Sequence, residues 1–153
     1  MTWTVPDKGE GDNDIQSIMF QEYLEALVDG VNGTNCVLDG CAVTPSALLV
    51  LAVAKGSILS NRVMFPVAAA TPSISAADAT NPRLDLVVVN SAGTVAVRTG
   101  TASATPKPPA RTANDVVLAS VYVPALDTTI GASQITDMRV VRTGGPLLVD
   151  VVE

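Results

Sequence analysis

Residues 81–100, NPRLDLVVVNSAGTVAVRTG, constrain this chain more than any other stretch. Two β-branched runs flank Asn90, Ser91, Ala92 and Gly93, a set of residues that turns a chain, so the stretch reads as a β-hairpin. With Asn90 facing Gly93, the register sets Val89 opposite Thr94, Val87 opposite Ala96 and Asp85 opposite Arg98. Leu86 then faces Val97, and Val88 faces Val95, on the other side. One face is wholly aliphatic. The second carries an acid and a base across from each other, with Arg83 one pleat away from Asp85. A slip of one residue would exchange the two faces, so the aliphatic pattern should hold the register. Pro82 cannot donate to a ladder and marks the first edge of the strand. The hairpin is a wall, without a nucleophile, a set of metal ligands or a phosphate cradle.

Around this wall, 153 residues suit one domain with a real core. Hydrophobic residues make up 48% of the chain and charged ones 16%, a globular composition poor in solvating charge. Aromatics are only 3%, so the core must be built from Val, Ala, Leu and Ile. The surplus of apolar surface points to burial against other copies, a homo-oligomer. A net charge of −6, with nine basic residues scattered singly, disfavours nucleic acid and anionic membrane surfaces as partners. The opening residues have acids and glycines where a signal peptide needs a basic and then an apolar segment. The most apolar run, Ala47 to Ala54, is too short to span a bilayer, so the expected place of synthesis is a cytosol. There, Cys36 and Cys41, close enough to bridge if oxidised, are expected as free thiols.

In chain order, Trp3 anchors an extended arm that leads to a helix start. Asp12 or Asn13 offers an N-cap, and Ile15, Ile18, Met19, Leu24, Leu27 and Val28 follow at helical spacing up to Gly30. These apolar positions occupy more than one face. The helix therefore either covers a sheet or joins an axial bundle of copies. After Gly33 come short apolar runs divided by Pro45, Lys55 with Gly56, Ser60 with Asn61, and Pro66, at the even spacing of a small sandwich or barrel. Beyond the hairpin, the prolines of TASATPKPPARTAND favour an extended surface crossing. Asp115 to Val123, DVVLASVYV, is apolar on both faces, as a central strand must be. In QITDMRVVR, Asp137 and Arg139 share a strand face, as Arg83 and Asp85 do, and the two charge pairs are expected to be neighbours. Leu147, Leu148 and Val149 open a last apolar strand, a sticky edge that should pair with something.

The expected class is mainly β, a small β-sandwich or barrel-like domain preceded by one N-terminal α-helix. Residues 1–33 form the arm and helix, 34–142 the β-domain, and 143–153 a C-terminal arm or exchanged strand. Trp3, the helix positions Ile15, Ile18, Met19, Leu24 and Leu27, and the tail positions Leu147, Leu148 and Val149 are the candidate oligomer and attachment contacts. Arg83, Asp85, Arg98, Asp137 and Arg139 are candidate structural ion pairs.

The sequence holds no histidine, and so no Ser-His-Asp or Cys-His arrangement and no imidazole metal site. It contains no G-x-S-x-G, no P-loop and no G-x-G-x-x-G. Its acids lie in turns, in the helix or beside arginines, a poor arrangement for a catalytic carboxylate pair. The glycosylation sequon at Asn32 carries no meaning without secretion. No enzyme activity, cofactor or metal is expected.

Taken together, Trp3 with DKGEGDN, the helix, Asn81-Pro82-Arg83 with Asp85, PKPPARTANDVVLASVYVP, and Ile135-Thr136-Asp137 with Arg139 resemble a recurrent module of tailed-bacteriophage virion proteins. The likeness is to tail-fibre, baseplate and minor tail proteins. It implies a β-domain that follows an N-terminal helix and assembles as a trimer, with scaffolding and attachment of other virion proteins as its task. The implied location is the virion, assembled in the host cytoplasm. A capsid cement or head-decoration protein in contact with the major capsid protein is the alternative of the same class. A carbohydrate-binding module for a host-surface glycan is the alternative of another, although sugar platforms want exposed aromatics.

Overall fold

The computed structural model describes residues 35–141. The arm and helix, with Trp3, Ile15, Ile18, Met19, Leu24 and Leu27, lie outside the described residues, as do Leu147, Leu148 and Val149 of the tail. The described chain is mainly β, and no α-helix occurs in it. Its strands form three antiparallel sheets.

The first two sheets come from one long hairpin. β1 (Asn35–Gly40) pairs with β4 (Gly56–Ser60), and β2 (Val43–Pro45) pairs with β3 (Leu51–Val53) in the same running register. At the corner between them, Gly40 and Cys41 take φ of +63° and +60°, and Gly40 faces Gly56. A Cβ on Gly40 would stand 2.2 Å from the Lys55 carbonyl oxygen, and one on Gly56 2.2 Å from that of Asp39. Only glycine allows the two backbones to meet so closely there. β5 (Val63–Val67) extends the first sheet through a two-residue turn in which Asn61 and Arg62 both have positive φ, the backbone of a tight hairpin with right-handed twist. Residues 70–74 run along the free edge of β3, with bonds between Val53 and Ala70 and from Leu51 N–H to the Pro72 carbonyl.

The third sheet has the order β7-β6-β8-β9. β6 (Arg83–Val89) and β7 (Val95–Arg98) are the hairpin expected from residues 81–100. β8 (Val116–Val123) is an inner strand, as its two apolar faces require, and β9 (Ile135–Asp137) follows a single 3-10 turn at Ala132–Gln134. Val87, Val88 and Val89 are all buried, so both faces of β6 are covered, and β6 too is paired on both sides. One aliphatic core of Val37, Leu51, Ile58, Val67, Val87, Leu118 and Val121 and their neighbours joins residues of all three sheets.

The hairpin register differs from the expected one. Asn90 faces Thr94, not Gly93: Asn90 N–H donates to the Thr94 carbonyl at 2.9 Å, and Gly93 N–H donates to the Asn90 carbonyl. The loop is thus three residues long and closes at Gly93 with φ +78°. The Asn90 side chain decides this, since its Oδ1 accepts from the N–H groups of both Ala92 and Thr94. The ladder therefore reads Leu86 opposite Arg98, Val87 opposite Val97 and Val88 opposite Ala96. Asp85 and Arg98 fall on opposite faces and cannot pair across the hairpin.

Candidate functional site

Three ion pairs among the described residues join an arginine to an aspartate, and in each of the three the pair also holds backbone groups. On β6, Arg83 Nε lies 3.0 Å from Asp85 Oδ1, with both side chains buried. Arg83 Nη1 donates to the Ala76 carbonyl at 2.6 Å and Nη2 to that of Ser75. Asp85 in turn accepts from Gly100 N–H at 2.9 Å. One pair thus ties two loops to an inner strand, and all polar atoms that it buries find partners.

The partner of Arg98 is Asp115, at the entrance to β8. The guanidinium meets the carboxylate in a two-pronged contact, 3.0 Å from Nε and 3.1 Å from Nη2. Asp115 also accepts from Thr112 N–H, and its own N–H donates to the Thr112 carbonyl. This fixes the end of the proline-rich crossing, which forms no strand or helix. The side-chain hydrogen bond to Asp115 raises the pKa of Arg98 above its ordinary value. In sequence, the signal for Asp115 was a carboxylate directly before an unbroken apolar strand, where only a paired charge is tolerated.

The third pair, Asp137 and Arg139, forms as expected, at 2.6 Å, with Arg139 Nη1 reaching across to the Gly40 carbonyl at 2.8 Å. It therefore holds the glycine corner. The hydrogen bond from Arg139 keeps the Asp137 carboxyl below the usual carboxylate range. The expected closeness of this pair to Arg83 and Asp85 is not observed: β8 lies between their strands, and each arginine turns to a different loop.

Two further acids are loop devices. Asp78 accepts from Thr80 and Asn81 N–H, and Asp127 from Thr129 N–H and the Gln134 amide; these bonds lower both pKa values. Cys36 and Cys41 are buried and not joined by a disulfide, and burial pushes the Cys41 thiol up, away from the reactive thiolate. Among the described residues, no three cysteine or acidic side chains gather as a metal site would require, and no helix is long and apolar enough to cross a membrane.

What the pairs leave open is a groove of about 520 Å³, within the range of small-ligand sites. Leu86, Cys36 and Val116 are buried along it, and Pro109, Met138 and Val140 also line it. Polar groups at it include Arg111 and the clamped Asp115. The groove offers apolar contact and no array of convergent donors. Sequence reasoning missed it, since its walls come from four separate stretches. Comparison of this chain with protein-family models, with curated proteins and with solved structures finds no match.

Proposed function

We propose that this chain is a non-enzymatic structural protein of a tailed-bacteriophage particle, a tail-fibre or baseplate-type component that scaffolds other virion proteins. In this reading the sheets pack as a small sandwich behind an N-terminal helix, and three copies associate. The observation that carries the proposal is how the polar groups are spent. The three arginine–aspartate pairs fasten loops to sheets, while Leu48, Val63, Met64 and Leu126, all away from the groove, stand exposed. A rigid frame with aliphatic surface suits permanent association, in which apolar area is covered by neighbours. The resemblance of Asn81-Pro82-Arg83 with Asp85 and of Ile135-Thr136-Asp137 with Arg139 to virion modules supplies the setting. A sugar platform is poorly supported, because Phe65 and Tyr122 are the only aromatic residues described, and Phe65 packs under the Gly93 turn.

The test is location on the intact particle by immunogold labelling or imaging, with the copy number. Labelling at the tail in multiples of three supports the reading. Labelling over the head would turn it into a capsid cement protein, and absence from particles would reject both. Sedimentation of the purified chain at micromolar concentration tests the trimer, and a soluble monomer would count against it.

A further inference from the structure

The groove at the start of β1 has three properties that together name its occupant. First, it presents apolar surface: Met138 and Val140 are 47% and 53% exposed there, beside Pro108 and Pro109. Second, it has a basic rim. Arg111 lines the groove and Lys107 precedes it, and neither has an ion-pair partner among the described residues. Third, Asn35, the first residue of β1, itself lines the groove.

The charge of the chain is divided unevenly about that point. Residues 1–34 hold seven acids, Asp7, Glu10, Asp12, Asp14, Glu22, Glu25 and Asp29, against the single base Lys8, a net −6. Residues 35–141 hold seven bases and six acids, a net +1. The segment just before the groove is thus opposite in sign to the groove rim. It is also tethered closely. Gly30, where the sequence pattern ends a helix, lies five Cα–Cα steps from Asn35, a span of at most about 18 Å.

The pattern of that helix contains two apolar trios. Leu24, Leu27 and Val28 follow Ile15, Ile18 and Met19 at an offset of nine residues, about two and a half turns at 3.6 residues per turn. The trios therefore fall on opposite sides of the expected helix, and one surface cannot cover both. Leu24, Leu27 and Val28 stand nearer the tether, with Glu25 and Asp29 beside them.

We propose that the groove is the seat of this chain's own residues 24–28, with Leu24, Leu27 and Val28 against Met138, Val140 and Pro109, and Glu25 or Asp29 facing Arg111. A short tether gives the segment an effective concentration in the millimolar range, so even weak contacts hold it. The opposite trio, Ile15, Ile18 and Met19, then remains for neighbouring molecules. This goes beyond the scaffold role and does not depend on it.

The full chain carries the test. Ala110, exposed beside the groove, is replaced by Cys together with Leu24→Cys or, separately, Leu27→Cys, and the pairs are oxidised mildly; the single variants and the native chain are controls. A disulfide within one copy, between the new thiols or from the helix position to Cys36, is the expected result for at least one pair, identified by peptide mapping. No such link in either pair overturns the proposal. So does a link formed only between copies, equally well when two single variants are mixed, which would place a neighbour's segment in the groove. Independently, with methyl-labelled methionine, Leu24→Asp with Leu27→Asp should move the Met138 signal and leave that of Met64, exposed on β5, in place. A Met138 signal that does not move would contradict the proposal even if the cross-links were ambiguous.

Discussion

Arg83 with Asp85 and Asp137 with Arg139 are the same local device, an arginine and an aspartate two residues apart on one face of the chain, in two settings. The first sits on β6, an inner strand, with side-chain exposures of 6% and 0%. The second begins on β9, at the edge of the same sheet, with 22% for Arg139 and 58% for Asp137. The contacts are alike: each arginine binds its carboxylate and reaches a distant carbonyl. Their energetic weight differs, because water screens and replaces the outer pair but cannot reach the inner one. A charge motif read from sequence thus has no fixed value until its strand has a place in the sheet.

The largest effect expected is at the inner pair. Asp85→Ala leaves the Arg83 charge buried beside two carbonyls and removes the acceptor of Gly100 N–H, a loss of about 3 to 5 kcal/mol in denaturant unfolding. A loss below about 1 kcal/mol would mean that water enters this site and would erase the contrast.

Next comes the corner that the outer pair holds. Gly56→Ala places a methyl group against the Asp39 carbonyl and Cys41 Sγ, which must shift, at a cost of about 1 to 3 kcal/mol. If this exceeds the effect of Asp137→Ala, the glycines shape the corner and Arg139 only ties it.

A double-mutant cycle sharpens the comparison through the pair between these extremes. Arg98→Ala and Asp115→Ala should be coupled, the double variant losing less than the sum of the single losses, whereas Arg98→Ala and Asp85→Ala should add. Coupling of Arg98 to Asp85 instead would restore the two-residue turn and contradict the Asn90–Thr94 closure.

The smallest effect belongs to Asp137. Asp137→Ala should cost no more than about 1 kcal/mol, as exposed pairs do. Its sign with pH is determined: the folded pKa lies below the unfolded value of about 3.9. The contribution is therefore complete well above that value and is lost as pH falls through the folded pKa. Asp137→Asn should match the native chain in acid and fall slightly behind it at neutral pH. Equal stability at both would show that the outer pair contributes nothing measurable.

Local chemistry was legible in the amino-acid sequence wherever neighbours in the chain decide the outcome. The hairpin of residues 81–100, the β8 run from Val116 to Val123, the extended proline crossing and the pairing of Asp137 with Arg139 all follow from alternation, turn residues and side chains two apart on a strand. What only the tertiary structure decided depends on distances between remote parts of the chain. The hairpin register turned on one Asn90 side chain bonding two loop N–H groups, a choice of a single residue that composition cannot express. With it went the partner of Arg98, since Asp115 approaches from a loop 17 residues away. The burial of Arg83 and Asp85, and the groove between Cys36, Pro109 and Met138, came from strand order and from the kink where Gly40 meets Gly56. Strand order is set by how remote aliphatic faces close over one core, and no local pattern carries that information.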